Sequence, residues 1–340
     1  MVVLTNRQKG DRMSNVSKRL ALVILTLVGF RGGMVSGVEP GKPSVTALET
    51  AAFRAIGARH PDPAIRNNDY LAERLLGSEE RAILKTAGDE SILKALEMPT
   101  EAAWQSFVPF QRNFATAVHS RTRQIDESVR ESLKLGGTQL VILGAGLDSR
   151  AYRFREELGQ GRAFEVDFPP TQEYKKARIR AVLGSLPRHV VYVPIDFTKQ
   201  DLRTVLNRAG YDERKKTTFV WEGVSFYIPE DAVDATLRFV ATHSAPGSRV
   251  VFDYMLESMV KHPTGAAVDL LKRLAALKEP MIFGVPDGDR EGFISRRGLT
   301  IASDVGINDL RARFLPQQFT NPGVPSISYV CTAVVPERAK

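Results

Sequence analysis

The chain has 340 residues, 43% apolar and 25% charged, with a formal net charge of +8. That is globular composition, with material for one large domain or one domain and a cap. Arg7, Lys9, Arg12, Lys18, Arg19 and Arg31 against Asp11 give the first 34 residues +5 of the charge, so the body has no basic stripe of the kind that tracks nucleic acid, and the single cysteine, Cys331, excludes an intrachain disulfide and a cysteine-based zinc site.

The stretch "SKRLALVILTLVGFRGG" (17–33) sets two cations before eleven uncharged residues, 20–30. It is too short to span a bilayer as a helix and has the pattern of a signal-peptide n-region and h-region. The alternative is a start at Met13 or Met34, with residues 1–36 a dispensable leader. The lone cysteine and the body of the chain favour a cytoplasmic protein; the signal-like leader leaves export open. No other segment suggests a membrane.

Residues 37–47, "GVEPGKPSVTA", read as a linker. Residues 37–137 form a helical N-terminal region. Helical spacing predicts elements over "TALETAAFRAIGARH", "DYLAERLL" (69–76) and "SEERAILKTAG" (78–88), the last capped around Ser78. A long amphipathic helix over 110–137 stops at Gly136-Gly137. From 138 the pattern changes to short β-branched runs at 139–146, 162–168, 189–196, 217–223, 248–255, 299–306 and 326–335. Helical segments at 171–184, 200–209, 230–243, 264–278 and 307–315 lie between them. Such alternation predicts a parallel sheet with helices on both faces, over 138–336. No internal repeat is present.

"VILGAGLDSRAYRF" (141–154) places Gly144 and Gly146 at a strand end, where a ligand can approach the backbone closely. A dinucleotide turn has a third glycine and seats pyrophosphate on a helix N-terminus. Here Ser149 takes that place and Asp148 precedes it. A carboxylate there repels phosphate and suits a cationic ligand without phosphates, of which S-adenosyl-L-methionine is one. Asp148 acts either on the ligand's ammonium or by pinning Arg150 or Arg153. Asp167, 23 residues after Gly144, stands where an acid accepts hydrogen bonds from ribose hydroxyls; Glu165 shares its strand face, so one of the two is structural. Asp196 and Phe197 end the third strand, an acid for an adenine amino group and a ring to pack on it. Glu222 ends the fourth. These acids are expected along one edge of the sheet, where ligands bind.

"ILGAGLDSRAYRF", "FEVDFP" and "WEGVSFYI", preceded by "SRTRQIDE" (120–127), resemble the leucine carboxyl methyltransferase-like group. That group includes S-adenosyl-L-methionine-dependent methyltransferases common in actinobacteria and polyketide O-methyltransferases. The resemblance spans roughly 43–336. It implies a Rossmann-like, seven-stranded class I methyltransferase fold, with the helical N-terminal region as a cap. It implies that Arg121, with Arg123 the near alternative, holds the cofactor carboxylate. Gly144 matches the turn glycine, Asp167 the ribose acid, Asp196-Phe197 the pair at the adenine, and Glu222 the glutamate near the methionine end. Arg54 loosely matches a second cation for the carboxylate.

The implied reaction is transfer of a methyl group to a carboxylate or hydroxyl of a small molecule. It needs positioning and a dry pocket, and no metal; no His/Cys/Asp metal spacing occurs. A carboxylate acceptor needs no base and a hydroxyl does. Of five histidines only His119, two residues before Arg121, has a route to the pocket, and a helix-surface position is its plainer reading. Tyr227 lines the acceptor side or packs in the core. No catalytic base is assigned. Residues 256–298, Gly/Pro-rich near their end, are expected to form a lid. The competing readings are an NAD-dependent oxidoreductase, which Asp148 and the absent glycine oppose, and a degenerate cofactor-binding scaffold.

Overall fold

The structure is a computed structural model that describes residues 43–196 and 199–337. The leader and Phe197 lie outside the described residues. A seven-stranded sheet forms the centre, in the order β3-β2-β1-β4-β5-β7-β6. Its strands are β1 (Gln139–Leu143), β2 (Arg162–Asp167), β3 (Val190–Pro194), β4 (Thr217–Trp221), β5 (Arg249–Met255), β6 (Thr300–Gly306) and β7 (Ser328–Val334). Strands β1 to β5 are parallel. β7 runs antiparallel between β5 and β6, so the sheet is mixed where the alternation predicted a parallel one. The last connection explains the difference: helix Ile307–Phe314 and the turn Gln317–Phe319 bring the chain back between β5 and β6 instead of crossing over to an outer edge.

β1 is buried at all five positions, as a strand covered on both faces must be. Val141 and Leu143 pack with Phe164, Phe219, Trp221 and Phe252 on one side. Leu140 and Ile142 pack with Ile125, Val129, Ile179 and Leu310 on the other. Helix Pro109–Lys134 starts with proline at its first turn and is followed by Gly136 at φ 96°, a stop that only glycine takes without strain. It packs on β4, β5 and β7 and also on helix Val45–Ala58. The cap core gathers Leu48, Phe53, Ile56, Trp104 and Phe107 with Leu147, Leu315 and Phe319. The strand order reverses between β1 and β4, the place where open α/β sheets take their ligands at the strands' carboxyl ends.

Ser78 is not a cap. Gly77 precedes helix Ser78–Thr86, and no side chain bonds its first N–H groups. One acid of that turn serves elsewhere: fully buried Glu80 pairs with Arg178 at 2.9 Å. Among the described residues no helix is long and apolar enough to cross a membrane.

Candidate active site

At the end of β1 the chain turns through Gly144 at φ 65° and Gly146 at φ 37°. A Cβ on Gly144 would come 2.6 Å from Val224 Cγ2, so the turn after β4 lies directly against it. The turn uses its own N–H groups. Gly144 and Ala145 both donate to Val166 O, at 2.9 and 3.2 Å, and Asp148 N donates to Ala145 O at 2.8 Å. Gly146 N donates to Asp167 Oδ2 at 2.6 Å. A pyrophosphate would therefore find these donors taken, and the helix that follows, Arg150–Arg153, is a single turn. Both observations oppose a dinucleotide.

Asp167 ends β2 and also accepts from Phe168 N at 2.7 Å. Burial raises its pKa, and these two N–H donors oppose the rise. Glu165 is fully buried and pairs with Lys175 at 2.7 Å. Of the two acids in "FEVDF", Asp167 is the one at the edge. Asp196 lies beyond the end of β3, one strand further out, where Lys199 pairs with it at 2.9 Å.

The remaining site residues are joined in a chain of alternating charge. Arg54 Nε meets Asp69 Oδ2 at 2.7 Å, and Arg153 lies 3.5 Å from Asp69. Arg153 Nη1 and Arg150 Nε hold the two oxygens of Asp126, each at 2.7 Å. Arg150 Nη1 donates to Asp148 Oδ2 and to Glu222 Oε2, both at 2.6 Å. Arg121 Nε donates to Glu222 Oε1 at 2.8 Å and its Nη1 to Asp253 Oδ2 at 2.6 Å. Asp253 Oδ1 accepts from Gly223 N at 2.7 Å. No side chain in this chain is more than 12% exposed, so its pairings are little screened. Four arginines face five carboxylates, which leaves one carboxylate in excess. Burial pushes the Glu222 pKa up, but Arg150, Arg121 and Arg54 outweigh it and hold it down at about 2. Asp253 is raised by burial, with Arg121 opposing.

The fold thus brings Arg121, Gly144, Gly146, Asp148, Asp167 and Glu222 to one edge. Asp148 bonds Arg150 through both oxygens, to its backbone N and its guanidinium, and not Arg153. Arg54 reaches the turn by donating to Leu147 O at 2.9 Å. Arg123 points elsewhere: it donates to Ala64 O and lies 4.4 Å above the Phe314 ring. His119 is neither on the surface nor in the site. It is fully buried, its Nε2 bonds Ile65 O at 2.8 Å and its ring packs against Trp104. Burial lowers its pKa to about 3 and keeps it neutral.

Asp69, Asp126 and Asp253 were missed from the sequence. Asp69 lies in a loop with nothing around it to mark it, and Asp126 lies within "SRTRQIDE", where its spacing singles out no role; Asp253 in "VVFDYM" carried the signal of a charge in a buried strand. No group of His, Cys, Asp and Glu among the described residues could hold a metal ion.

A sheet in this order, with a reversed seventh strand and acids along its carboxyl edge, defines a class I, Rossmann-like methyltransferase fold. A crystal structure of a "putative methyltransferase" from Thermobifida fusca YX shares it, with a TM-score of 0.54 at 16% identity over 89% of this chain and 98% of that one. Residues 47–241 match the family model "Leucine carboxyl methyltransferase", and the chain belongs to that family. A Bacillus subtilis (strain 168) protein named "Putative S-adenosyl-L-methionine-dependent methyltransferase YktD" is 28% identical over 293 residues, 84% of this chain and 95% of its own length. A relative of the same description from Mycolicibacterium paratuberculosis is 34% identical over 69% of this chain and 72% of its own length. The chain is an S-adenosyl-L-methionine-dependent methyltransferase. The site fits this cofactor: the N–H groups of Gly144, Ala145, Gly146 and Asp148 are already bonded, and its excess carboxylate suits a cation that carries no phosphate.

Proposed function

We propose that the chain transfers a methyl group to a carboxylate or hydroxyl oxygen of a small molecule, without metal or nucleic acid, and acts in the cytoplasm. The observation that carries this reading is the carboxyl edge of the sheet, with its strand-end acids and its bonded turn. Asp167 accepts from the ribose hydroxyls. Asp196, with Phe197, takes the adenine, and Phe168, an aromatic 40% exposed directly after Asp167, offers a second platform. Gly144 and Gly146 admit the ligand close to the backbone. Arg121 Nη2 carries no hydrogen bond among the described residues, which supports a role in holding the cofactor carboxylate. Glu222 takes the ammonium, and Asp148 acts through Arg150.

When bound, the cofactor supplies an electrophilic methyl group on a sulfonium. The chain's own residues orient the acceptor and exclude water. The acceptor lies between the start of helix Val45–Ala58 and the segment 256–298. Thr46 donates to Glu279 there, and Ile282 N donates to Phe226 O at 2.8 Å. Tyr227, beside Thr46, is kept protonated because burial and Glu279 push its pKa up. It donates to an acceptor oxygen and is no base. A carboxylate acceptor needs none; a hydroxyl acceptor gives up its proton on methylation, and no side chain is assigned to take it.

The test incubates the protein with methyl-labelled cofactor and separate panels of small carboxylates and hydroxyl compounds. Label in a base-labile ester or a base-stable ether supports the reading. Label on nitrogen, sulfur or carbon alone overturns it.

A further inference from the structure

Helix Pro169–Leu183 starts two residues after Asp167 and carries Lys175 back beneath the glycine turn. The Lys175 side chain is 1% exposed. Its ammonium has three N–H donors and three acceptors: Asp148 O at 2.7 Å, Ala145 O at 3.2 Å and Glu165 Oε1 at 2.7 Å. Tyr152 Oη donates to the other oxygen of Glu165 at 3.0 Å and meets Tyr192 Oη at 3.2 Å. The buried pair is therefore fully bonded, and two carbonyls of the turn are drawn to its ammonium.

One peptide unit links this pair to the site. The carbonyl of Ala145 faces Lys175, and the N–H on the other side of the same peptide, that of Gly146, donates to Asp167 Oδ2. A peptide is planar, so fixing its oxygen fixes the direction of its N–H. With glycine at 146 no side chain restrains the plane. Two donors hold that oxygen instead, Asp148 N at 2.8 Å and the Lys175 ammonium at 3.2 Å, and the same ammonium also holds the Asp148 carbonyl at 2.7 Å.

From this we infer that Lys175 is a positioning residue for the cofactor: through the peptide 145–146 it sets where the ribose-binding carboxylate of Asp167 stands. The inference rests on the ribose role proposed for Asp167. Neutralising Glu165 alone leaves the ammonium on both carbonyls, so it costs stability by unpairing a buried charge but changes cofactor affinity little. Removing the ammonium leaves the Ala145 carbonyl to Asp148 N alone and takes the donor from the Asp148 carbonyl, so the turn that carries peptide 145–146 loosens and Asp167 with it.

The experiment is a double-mutant cycle read by titration with S-adenosylhomocysteine. Lys175→Met is expected to weaken binding about ten- to hundredfold. In an Asp167→Ala background the same substitution is expected to change affinity by less than about twofold, because coupled residues are not additive. Lys175→Arg restores part of the loss. If Lys175→Met does not fold, Lys175→Met with Glu165→Gln, which leaves no buried charge, takes its place. An equal loss in both backgrounds, or no loss in a folded variant, overturns the inference. The Gly146 amide resonance gives a readout without ligand: it moves on Lys175→Met if the peptide turns and stays if it does not. Asp167→Ala with unchanged affinity would defeat the ribose assignment instead, and the amide resonance would still decide whether Lys175 holds the turn.

Discussion

Arg150 and Arg121 divide one carboxylate between them: Glu222 takes Arg150 Nη1 on Oε2 at 2.6 Å and Arg121 Nε on Oε1 at 2.8 Å. Glu222 thus ties the helix after the glycine turn to the long helix before β1. Glu222→Ala leaves two buried arginines short of a counter-ion and should cost about 3–5 kcal/mol in urea unfolding. Glu222→Gln keeps an acceptor and should cost less. The contribution also has a pH sign. Glu222 is lowered from 4.5 to about 2, so its stabilisation is present above about 4.5 and is lost as pH falls toward 2. Unfolding of wild type and variant across that range checks both points.

Arg121 and Arg123 are two residues apart and differ in what they reach. Arg121→Lys keeps the charge and loses the fork, and should weaken S-adenosylhomocysteine binding about tenfold. Arg123→Met should leave affinity unchanged and lose only about 1 kcal/mol of stability, from its contact over the Phe314 ring. Calorimetric titration of both separates them. A loss of affinity with Arg123→Met alone would reverse the assignment.

Gly144 sits at φ 65° against Val224. Gly144→Ala meets both a backbone strain of about 1 kcal/mol and a Cβ 2.6 Å from a methyl group. The expected destabilisation is about 1–3 kcal/mol. Adding Val224→Ala should recover the steric part and leave the backbone part. Full recovery would show that the φ angle had relaxed.

Two buried glutamates make stability fall as pH rises. Glu49 shares Arg273 with Asp89. Burial, opposed by Arg273 and assisted by Asp89, raises it from 4.5 to about 7. Burial also raises Glu165 to about 7, with Lys175 opposing. A raised carboxyl stabilises the fold fully below about 4.5, and that contribution is lost as pH climbs through about 7. Glu49→Gln cannot titrate. The stability difference between wild type and Glu49→Gln should therefore move against wild type by on the order of 1–3 kcal/mol between those limits. Melting temperatures of both proteins across that range test it, and parallel curves would remove Glu49 from the account.

What the sequence determined by itself was local. "QLVIL" before Gly144 and Gly146 marks a buried strand and a turn that only small residues fill, and "FEVDF" puts an acid at the end of the next strand. Periodicity and chain order carry such signals, so all seven strand segments were legible to within a few residues. The tertiary structure alone decided the rest. It set β7 antiparallel, because strand direction depends on where the connection returns and not on the strand's own residues. It separated Arg121 from Arg123, since two helix positions 200° apart face different neighbours. It also separated Glu165 from Asp167, which alternation puts on one face and which only the depth of the strand end tells apart. The links Asp126–Arg150, Arg121–Asp253 and Lys175–Ala145 join residues 24, 132 and 30 positions apart. No local pattern records such pairs, because a buried charge is matched by whatever the folded chain brings within reach of it.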